Sequence, residues 1–336
     1  MKTISFILPV FNVENYLERC LLSIKPFLLK GHQVILVNDG STDNSLKILK
    51  DFFDLNKKYD LIIIDKPNGG LSDARNAGLL KATGDYIWFI DTDDWLDTNA
   101  IKIIESDVLN NNHDLIILGR KEIFSRKIRK VPSKLSLKNY QNGIDYFNEA
   151  IISHNYRTQV WDKIFRIQFL KKYQLKFVKG LLYEDMFFML QAILHAQNIV
   201  VYPIYAYCYN QTNITSISKK IRKKDLDILR FIELSDEYIK NANKSINEFS
   251  LSYNLLIFNW VSTCLLNKYV KLSLINPEAS YIYNTATNHP IYIRATRICM
   301  SGNVGIRRKI FAWLLLNHPT LYKYILIFAI KIKSIL

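Results

Sequence analysis

An α/β fold built on a doubly wound, mostly parallel sheet is predicted for the first two thirds of the chain, followed by a helical, basic C-terminal region. Three observations predict it. Short apolar runs alternate with amphipathic stretches through roughly the first ninety residues, the mark of repeated βα units with right-handed crossovers. Several of these runs stop at Asn, Asp and Gly, where a parallel strand would leave its sheet. Past about residue 220 the apolar spacing becomes helical and Lys and Arg outnumber the acids.

The elements follow in order. Ile4–Val10 is an apolar run carrying Pro9, and Val13–Leu29 has a helical stripe at Val13, Leu17, Leu21 and Ile24. Val34–Val37 is a second strand running into Asn38-Asp39-Gly40, after which Ser41 or Thr42 is expected to cap a helix through Phe53. Leu61–Ile64 is a third strand ending at Asp65. Gly70–Ala82 reads as a helix, with Gly84 at its C-terminal stop. Tyr86–Ile90 is a fourth, buried strand. Later, Asp114–Leu118 is a strand, and Arg120–Lys138 a basic loop or edge hairpin. Gly143–Ser153 and Trp161–Tyr173 are helical, Glu184–His195 is an amphipathic helix, and Ile199–Tyr209 is an aromatic-rich strand. Helical pattern resumes from Lys219 to about Lys271. The expected division is a catalytic domain over 1–218, with a nucleotide-binding half (1–110) and an acceptor half (111–218), then a helical region over 219–336.

Composition narrows the function. An aromatic content of 13% and an apolar content of 49% exclude disorder, and 336 residues exceed one ordinary core. Cys20, Cys208, Cys264 and Cys299 lie far apart, so neither a zinc site nor a disulfide framework is expected. The N-terminus has no signal-peptide pattern, which points to the cytoplasm. Of the net charge of +15, residues 1–110 carry −4 and the remainder +19. A basic half of this kind expects an anionic partner. No nucleic-acid motif accompanies it, so nucleic acid is not expected, and an anionic membrane or a phosphorylated substrate fits better.

The most informative segment is Tyr86-Ile-Trp-Phe-Ile-Asp91-Thr92-Asp93-Asp94. Three carboxylates arrive where a buried strand leaves the sheet, the usual ligand edge of parallel α/β folds. Clustered hard oxygens there suit Mg²⁺ or Mn²⁺ serving a phosphorylated substrate, against the plainer alternative of a solvated acidic turn. No Gly-x-Gly-x-x-Gly or Walker pattern follows any strand, which counts against nucleotide-dependent dehydrogenases and P-loop enzymes.

The blocks Pro9-Val-Phe11-Asn12, Asn38-Asp39-Gly40-Ser41-Thr42-Asp43, Asp65, Asn68-Gly69-Gly70-Leu71-Ser72-Asp73-Ala74-Arg75-Asn76-Ala77-Gly78 and Asp91-Thr92-Asp93-Asp94 occur in that order and spacing. Together they closely resemble the family 2 glycosyltransferases: inverting enzymes of the Rossmann-like GT-A fold, here of the non-processive bacterial polysaccharide type. The resemblance is strong over residues 3–100. It continues more weakly through Val160-Trp161-Asp162-Lys163, Tyr183-Glu184-Asp185, and Tyr207 to Ser218. It implies a nucleotide-sugar donor, a UDP-sugar by expectation, bound by Pro9, Phe11, Asn12, Asp39, Arg75 and Asp91. Asp93 would ligate the metal directly, with Asp91 beside it or toward the ribose, and Asp185 would be the general base with Glu184 orienting it.

Each residue also has a reading of its own. Phe11 offers a face on which a base can stack, and Asp39 can accept from a base N–H or simply belong to a turn. Arg75 touches base or diphosphate, or pairs with Asp39 or Asp73. Glu184 and Asp185 otherwise stabilise a helix N-terminus. Asp94 stays unassigned.

The chain departs from the family pattern at Lys25-Pro26, which follow Ser23-Ile24 where a Gln-Thr pair is usual, at Gln33 and at Asn210. The first two read as structural. The third removes an Arg expected near the diphosphate and leaves Lys219, Lys220 or Arg222 to replace it. No Gln-x-x-Arg-Trp motif is present, so a processive synthase is not expected. Two rivals remain: a sugar-phosphate nucleotidyltransferase, which should carry a Gly-rich N-terminal loop, and a non-catalytic carbohydrate or membrane scaffold, which should shed its acids. Residues 301–336 contain six Lys or Arg and no acid, and Pro319 and Lys323 interrupt the apolar run of the tail. It resembles a segment lying on an anionic bilayer, or else a helical pair packed on the protein. A lipid-linked or other glycan acceptor and a peripheral place at the inner membrane face follow as expectations.

Overall fold

The computed structural model describes residues 2–100, 103–104, 111–131, 137–213, 222–241 and 246–333. Two compact units emerge, residues 1–146 with 157–219, and residues 147–156 with 220–336.

The first unit is built on a mixed, largely parallel sheet. Its strands are β1 (Ile4–Val10), β2 (Gln33–Asp39), β3 (Leu61–Lys66), β4 (Tyr86–Phe89), β5 (Trp95–Leu96), β6 (Leu115–Ile123), β7 (Ile128–Val131), β8 (Lys138–Tyr140), β9 (Lys163–Arg166) and β10 (Ile199–Asn210). The order is β3-β2-β1-β4-β9-β6-β10-β5, with β7 on β6 and β8 on β10. β3, β2, β1 and β4 run parallel, so their carboxyl ends share one edge. β1 and β2 are buried at every residue, as a sheet covered on both faces requires. The first three helices, α1 (Glu14–Leu28), α2 (Ser45–Asn56) and α3 (Leu71–Lys81), fall where the apolar spacing places them. α3 packs so closely on β1 that a Cβ at Gly78 would lie 2.4 Å from Ile7 Cγ2.

Three local expectations are corrected. Neither Ser41 nor Thr42 caps α2, whose N-cap is Asn44; Asp43 accepts from Ser45 N at 2.9 Å at the start of α2 and from Glu14 N at 3.1 Å at the start of α1. Gly84 is no helix cap either. α3 ends at Lys81 with Ala82 extended, and Gly84 is small because its Cβ position lies 2.8 Å from the Ser5 backbone N. The Trp161–Tyr173 stretch is helical only at Ile167–Lys172, and Lys163–Arg166 is β9, antiparallel to both β4 and β6. Cross-strand packing of Ile164 and Phe165 overrides a weak helical period there.

The basic stretch after Arg120 forms the edge hairpin β6–β7 as far as Val131. Pro203 falls where β10 loses register with β6, a position at which a missing N–H is tolerated. Gln33 accepts from Ser5 Oγ at 2.6 Å and Thr83 N at 3.0 Å, so this family departure ties β1 to the turn before β4. Ser23, which keeps the family's Ser, accepts at Oγ from Leu96 N at 3.0 Å.

The second unit is helical, with helices at Asp227–Asn241, Ile246–Val261, Pro277–Thr287, Pro290–Ser301, Ile306–Asn317 and Pro319–Lys333. Three of these begin at Pro, where its missing N–H costs nothing. Asn276 caps the Pro277 helix by accepting from Ala279 N at 2.9 Å. The Arg294 guanidinium donates to both oxygens of Asp236, at 2.5 and 2.8 Å, tying the first of these helices to the fourth. Among the described residues no helix is long and apolar enough to cross a membrane.

Candidate active site

The carboxyl edge of the parallel strands carries the predicted residues. Pro9 sits at the end of β1, and its carbonyl accepts from Thr92 Oγ1 at 2.8 Å, which pins the acidic turn to the first strand. Phe11 follows with 48% of its surface open, free to stack against a flat ligand. Asn12 adopts φ 51°, a conformation Asn tolerates, and its Oδ1 accepts from Thr42 N at 2.8 Å.

Asp39, the last residue of β2, is buried. It accepts from Gly69 N at 2.9 Å and Gly70 N at 2.8 Å, and pairs with Lys66. Lys66 also pairs with Asp73 at 2.7 Å, and Lys179 joins Asp73. The Asp39 carboxylate therefore organises the loop leading into α3 while its partner lysine stays partly exposed.

The acidic turn is braced from β10. Asp94 is buried and accepts from Tyr207 OH at 2.7 Å and from Asn210 N at 2.7 Å. Burial, then Asp93 and Asp91, push its carboxyl well above the usual range. Asp94 is thus the anchor of the turn, and Asn210 supports the turn: its Nδ2 donates to the Asp93 carbonyl at 3.1 Å. Asp93 is half-buried, accepts from Asn213 Nδ2 at 2.8 Å, and is raised by burial and by Asp91.

Arg75 joins the two ends of the site. Its side chain is 1% exposed, and it donates to Asp91 Oδ1 at 2.8 Å, Glu184 Oε1 at 2.8 Å and Asp185 Oδ1 at 2.6 Å. Asp39 and Asp73, the partners weighed from sequence, are not the ones it takes. Glu184 and Asp185 open the Glu184–His195 helix after Tyr183, whose φ of 62° turns the chain sharply at that point. The other Asp185 oxygen accepts from Val160 N at 3.2 Å. Burial pushes Asp185 up, Arg75 pulls it back, and Glu184 and Asp91 push it up again, to about 7. Arg75 itself is raised: burial opposes its charge, but Asp185, Asp91 and Glu184 outweigh that.

Residues 5–177 match the family described as Glycosyl transferase family 2. The chain belongs to glycosyl transferase family 2. Glu184 and Asp185 lie beyond the matched stretch. Among relatives, glycosyltransferase GlyA of Streptococcus pneumoniae is 28% identical over 293 residues, which is 84% of this chain and 39% of GlyA. The putative glycosyltransferase EpsH of Bacillus subtilis is 26% identical over 79% of this chain and 77% of its own length. The crystal structure of S. aureus TarS 1–349 superposes with a TM-score of 0.72 at 21% identity, covering 93% of this chain and 86% of that one. A complex of the same protein with UDP-GlcNAc gives 0.58 at 20% identity, covering 88% and 90%. The mannosyltransferase PcManGT of Pyrobaculum calidifontis, in complex with GDP-Man and Mn²⁺, gives 0.52 at 14% identity, covering 99% and 87%. These likenesses establish the GT-A fold.

Among the described residues of this family 2 glycosyltransferase, no group of three His, Cys, Asp or Glu forms a ready metal cage. The donor set fits a different kind of site. Asp91 and Asp93 supply hard carboxylate oxygens, Asp94 is consumed by Tyr207 and Asn210, and burial together with the neighbouring Asp91 raises Asp93, an environment a cation would relieve. Mg²⁺ and Mn²⁺ sites completed by substrate phosphates take one or two carboxylates.

Sequence reading missed Lys66, Tyr207, Asn213 and the Val160 N–H. Lys66 directly follows the strand-ending Asp65 and was within reach. The other three meet their partners only through folding. Of the basic residues expected to replace the missing Arg, Lys219 and Lys220 lie outside the described residues, and Arg222 is paired with Asp225 inside the second unit.

Proposed function

We propose that this chain is an inverting, metal-dependent glycosyltransferase. It moves one sugar from a UDP-sugar to a hydroxyl of a glycan or lipid-linked oligosaccharide during surface polysaccharide assembly at the inner membrane face. One observation carries the reading: the Arg75 guanidinium holds Asp91 of the strand-end turn and Asp185 of the helix start at once. A donor-phosphate carboxylate and a candidate base thus sit on either side of a single rigid fork.

The family resemblance supplies the roles, and that geometry is compatible with them. Phe11 stacks the nucleobase, Pro9 and Asn12 shape the strand end beneath it, and Asp39 accepts from the base imide N–H. Asp91 and Asp93 would hold Mn²⁺ or Mg²⁺, which neutralises charge on the departing diphosphate. Asp185 takes the proton of the acceptor hydroxyl as that oxygen bonds to the anomeric carbon and the bond to the diphosphate oxygen breaks. Attack from the face opposite the leaving group inverts the centre, so an α-linked donor gives a β-linkage. A pKa of about 7 leaves Asp185 a large ionised fraction near neutral pH while keeping it basic enough to help, the balance general-base catalysis needs. Glu184, on the same guanidinium, fixes the pair in place.

The test is a thermal-shift panel of nucleotide-sugars on the purified chain with and without Mn²⁺, followed by transfer assays. The expected result is metal-dependent stabilisation by one UDP-sugar. Asp185→Asn should keep that shift and lose transfer by about a hundredfold or more. Intact transfer in Asp185→Asn, or no shift from any nucleotide in folded protein, would sink the reading; the second result would favour a non-catalytic scaffold.

A further inference from the structure

Six of the 18 large apolar side chains that stand exposed among the described residues belong to the last two helices: Ile306, Ile310, Trp313, Leu321, Tyr324 and Phe328. Ile306, Ile310 and Trp313 succeed one another at steps of four and three on the Ile306–Asn317 helix. Leu321, Tyr324 and Phe328 do so at three and four on the Pro319–Lys333 helix. Each trio is therefore a single stripe along one helix face. Core packing does not need these faces: Ala312, Leu314 and Leu315 on the first helix, and Tyr322 and Leu326 on the second, are buried instead. Two such stripes on helices that pack on each other are more than scattered surface hydrophobics.

Charge identifies what covers them. Residues 301–336 carry Arg307, Arg308, Lys309, Lys323, Lys331 and Lys333 with no Asp or Glu. Arg307 is exposed, and Lys309 and Lys323 are half-buried along these same helices. A second copy of the chain would oppose one cationic segment to another. An anionic bilayer complements both properties, taking the apolar side chains at the acyl boundary, Trp and Tyr at headgroup level, and the cations against lipid phosphates. Neither helix is long and apolar enough to cross, so they lie in the plane of the interface.

We propose that the helices Ile306–Asn317 and Pro319–Lys333 are a docking elbow for an anionic lipid surface, with Ile306, Ile310, Leu321 and Phe328 facing the acyl region and Trp313 and Tyr324 at headgroup level. The proposal rests on the reading of a membrane-borne acceptor and gives it a surface. The test uses the full chain, sedimented with phosphatidylglycerol–phosphatidylcholine vesicles and with phosphatidylcholine vesicles, alongside the Mn²⁺-dependent donor shift. Wild type should bind the anionic vesicles, more weakly as salt rises. The double variant Ile310→Glu with Phe328→Glu, and separately Arg307→Glu with Lys309→Glu, should each weaken binding about tenfold or more with the donor shift unchanged. The charge variant keeps the apolar stripe, so its loss of binding cannot come from a collapsed core. Vesicle binding absent from wild type that still shows the donor shift overturns the elbow alone. Binding undiminished in both variants also overturns it, as does a wild-type dimer that the apolar variant splits without any lipid binding. A missing donor shift with vesicle binding intact overturns the UDP-sugar reading and leaves the elbow standing.

Discussion

Two buried charge clusters in the first unit use the same ingredients in opposite proportions. At the strand edge one cation, Arg75, is shared by Asp91, Glu184 and Asp185, whose side chains keep 28%, 12% and 17% of their surface open. A short way along the chain, Asp162 and Lys163 are both fully buried and paired at 2.5 Å, with Arg157 at 3.5 Å and Arg120 at 3.6 Å from the same carboxylate. The first cluster has too few positive charges and the second too many. Burial raises Asp185, its one cation Arg75 offsets only part of that, and Glu184 and Asp91 push it up again, to about 7. Asp162 goes the other way: burial would raise it, but Lys163, Arg157 and Arg120 overcome that and hold it below the usual carboxylate range. A cluster short of positive charge and open to solvent is ready for protons, cations and substrate. A sealed cluster with its charges in hand is scaffolding.

The second cluster serves the first. Lys163 Nζ donates to the Gln159 carbonyl at 2.5 Å, and Lys163 N donates to the Val160 carbonyl at 3.1 Å, closing a turn at 159–163. From that turn Val160 N donates to Asp185. The Trp161 carbonyl accepts from Trp88 Nε1 at 2.7 Å, fixing the turn to β4, and Trp161 stacks on Tyr207, the residue that holds Asp94. Asp185, the proposed base, and the acidic turn therefore share one support.

Removing the cation from each cluster gives the largest effects and separates them by pH. Arg75→Met and Lys163→Met should each cost about 3–5 kcal/mol near neutral pH, because each strands buried carboxylate charge. In Arg75→Met, Asp185 loses the guanidinium that pulls its pKa down and takes up its proton above the wild-type value of about 7, so the deficit in urea unfolding should shrink as pH falls toward about 7. In Lys163→Met, Arg120 and Arg157 still hold Asp162 ionised, so the deficit should stay flat into the acid range. Parallel pH curves for the two variants would break the comparison.

The next effect is on turnover. Asp185 must be ionised to take a proton, so kcat/KM should rise about tenfold per pH unit below about 7 and level off above it. Its raised pKa has the opposite sign for stability. Between about 4 and 7 the folded chain holds a proton that the unfolded chain releases, so the contribution of this group to stability falls as pH rises through that window. An acid limb in the ordinary carboxylate range would remove Asp185 from the role of base.

The two clusters were unequally legible. The strand-edge residues stand out because apolar runs end abruptly in polar blocks, and the family resemblance attaches roles to Asp39, Asp91, Asp93, Glu184 and Asp185. Sequence did not show that Arg75 gathers residues 16, 109 and 110 positions away. The second cluster was misread, since Trp161-Asp162-Lys163 opens a stretch with helical spacing. A buried lysine inside a strand becomes recognisable only once β4 and β6 close around it. Local period reveals which segments are strands and helices; it does not reveal which strand ends meet. For the same reason Asn210 read as a lost phosphate contact, when its partner is the acidic turn 117 residues earlier.

The smallest predicted effect tests whether the partner of Asp93 tunes the proposed metal site. Asn213 Nδ2 donates to Asp93 Oδ2 from 120 positions along the chain, and Tyr16 OH reaches Asn213 Oδ1 at 3.5 Å. The bond fixes the direction in which Asp93 presents its oxygens and favours its ionised form against burial and Asp91, which raise its pKa. Asn213→Ala should cost only about 1 kcal/mol of stability, the net value of an ordinary hydrogen bond. It should nevertheless weaken the Mn²⁺ dependence of donor binding about tenfold, because partners of a ligating carboxylate set its orientation and charge. Asn213→Asp offers the sharper contrast: a fresh carboxylate beside Asp93 adds repulsion without metal and a further oxygen near the ion with it. Titrating Mn²⁺ against the donor-induced thermal shift in both variants checks this. An Mn²⁺ requirement unchanged in Asn213→Ala would mean that Asp93 is oriented from β4 and Asp94 alone.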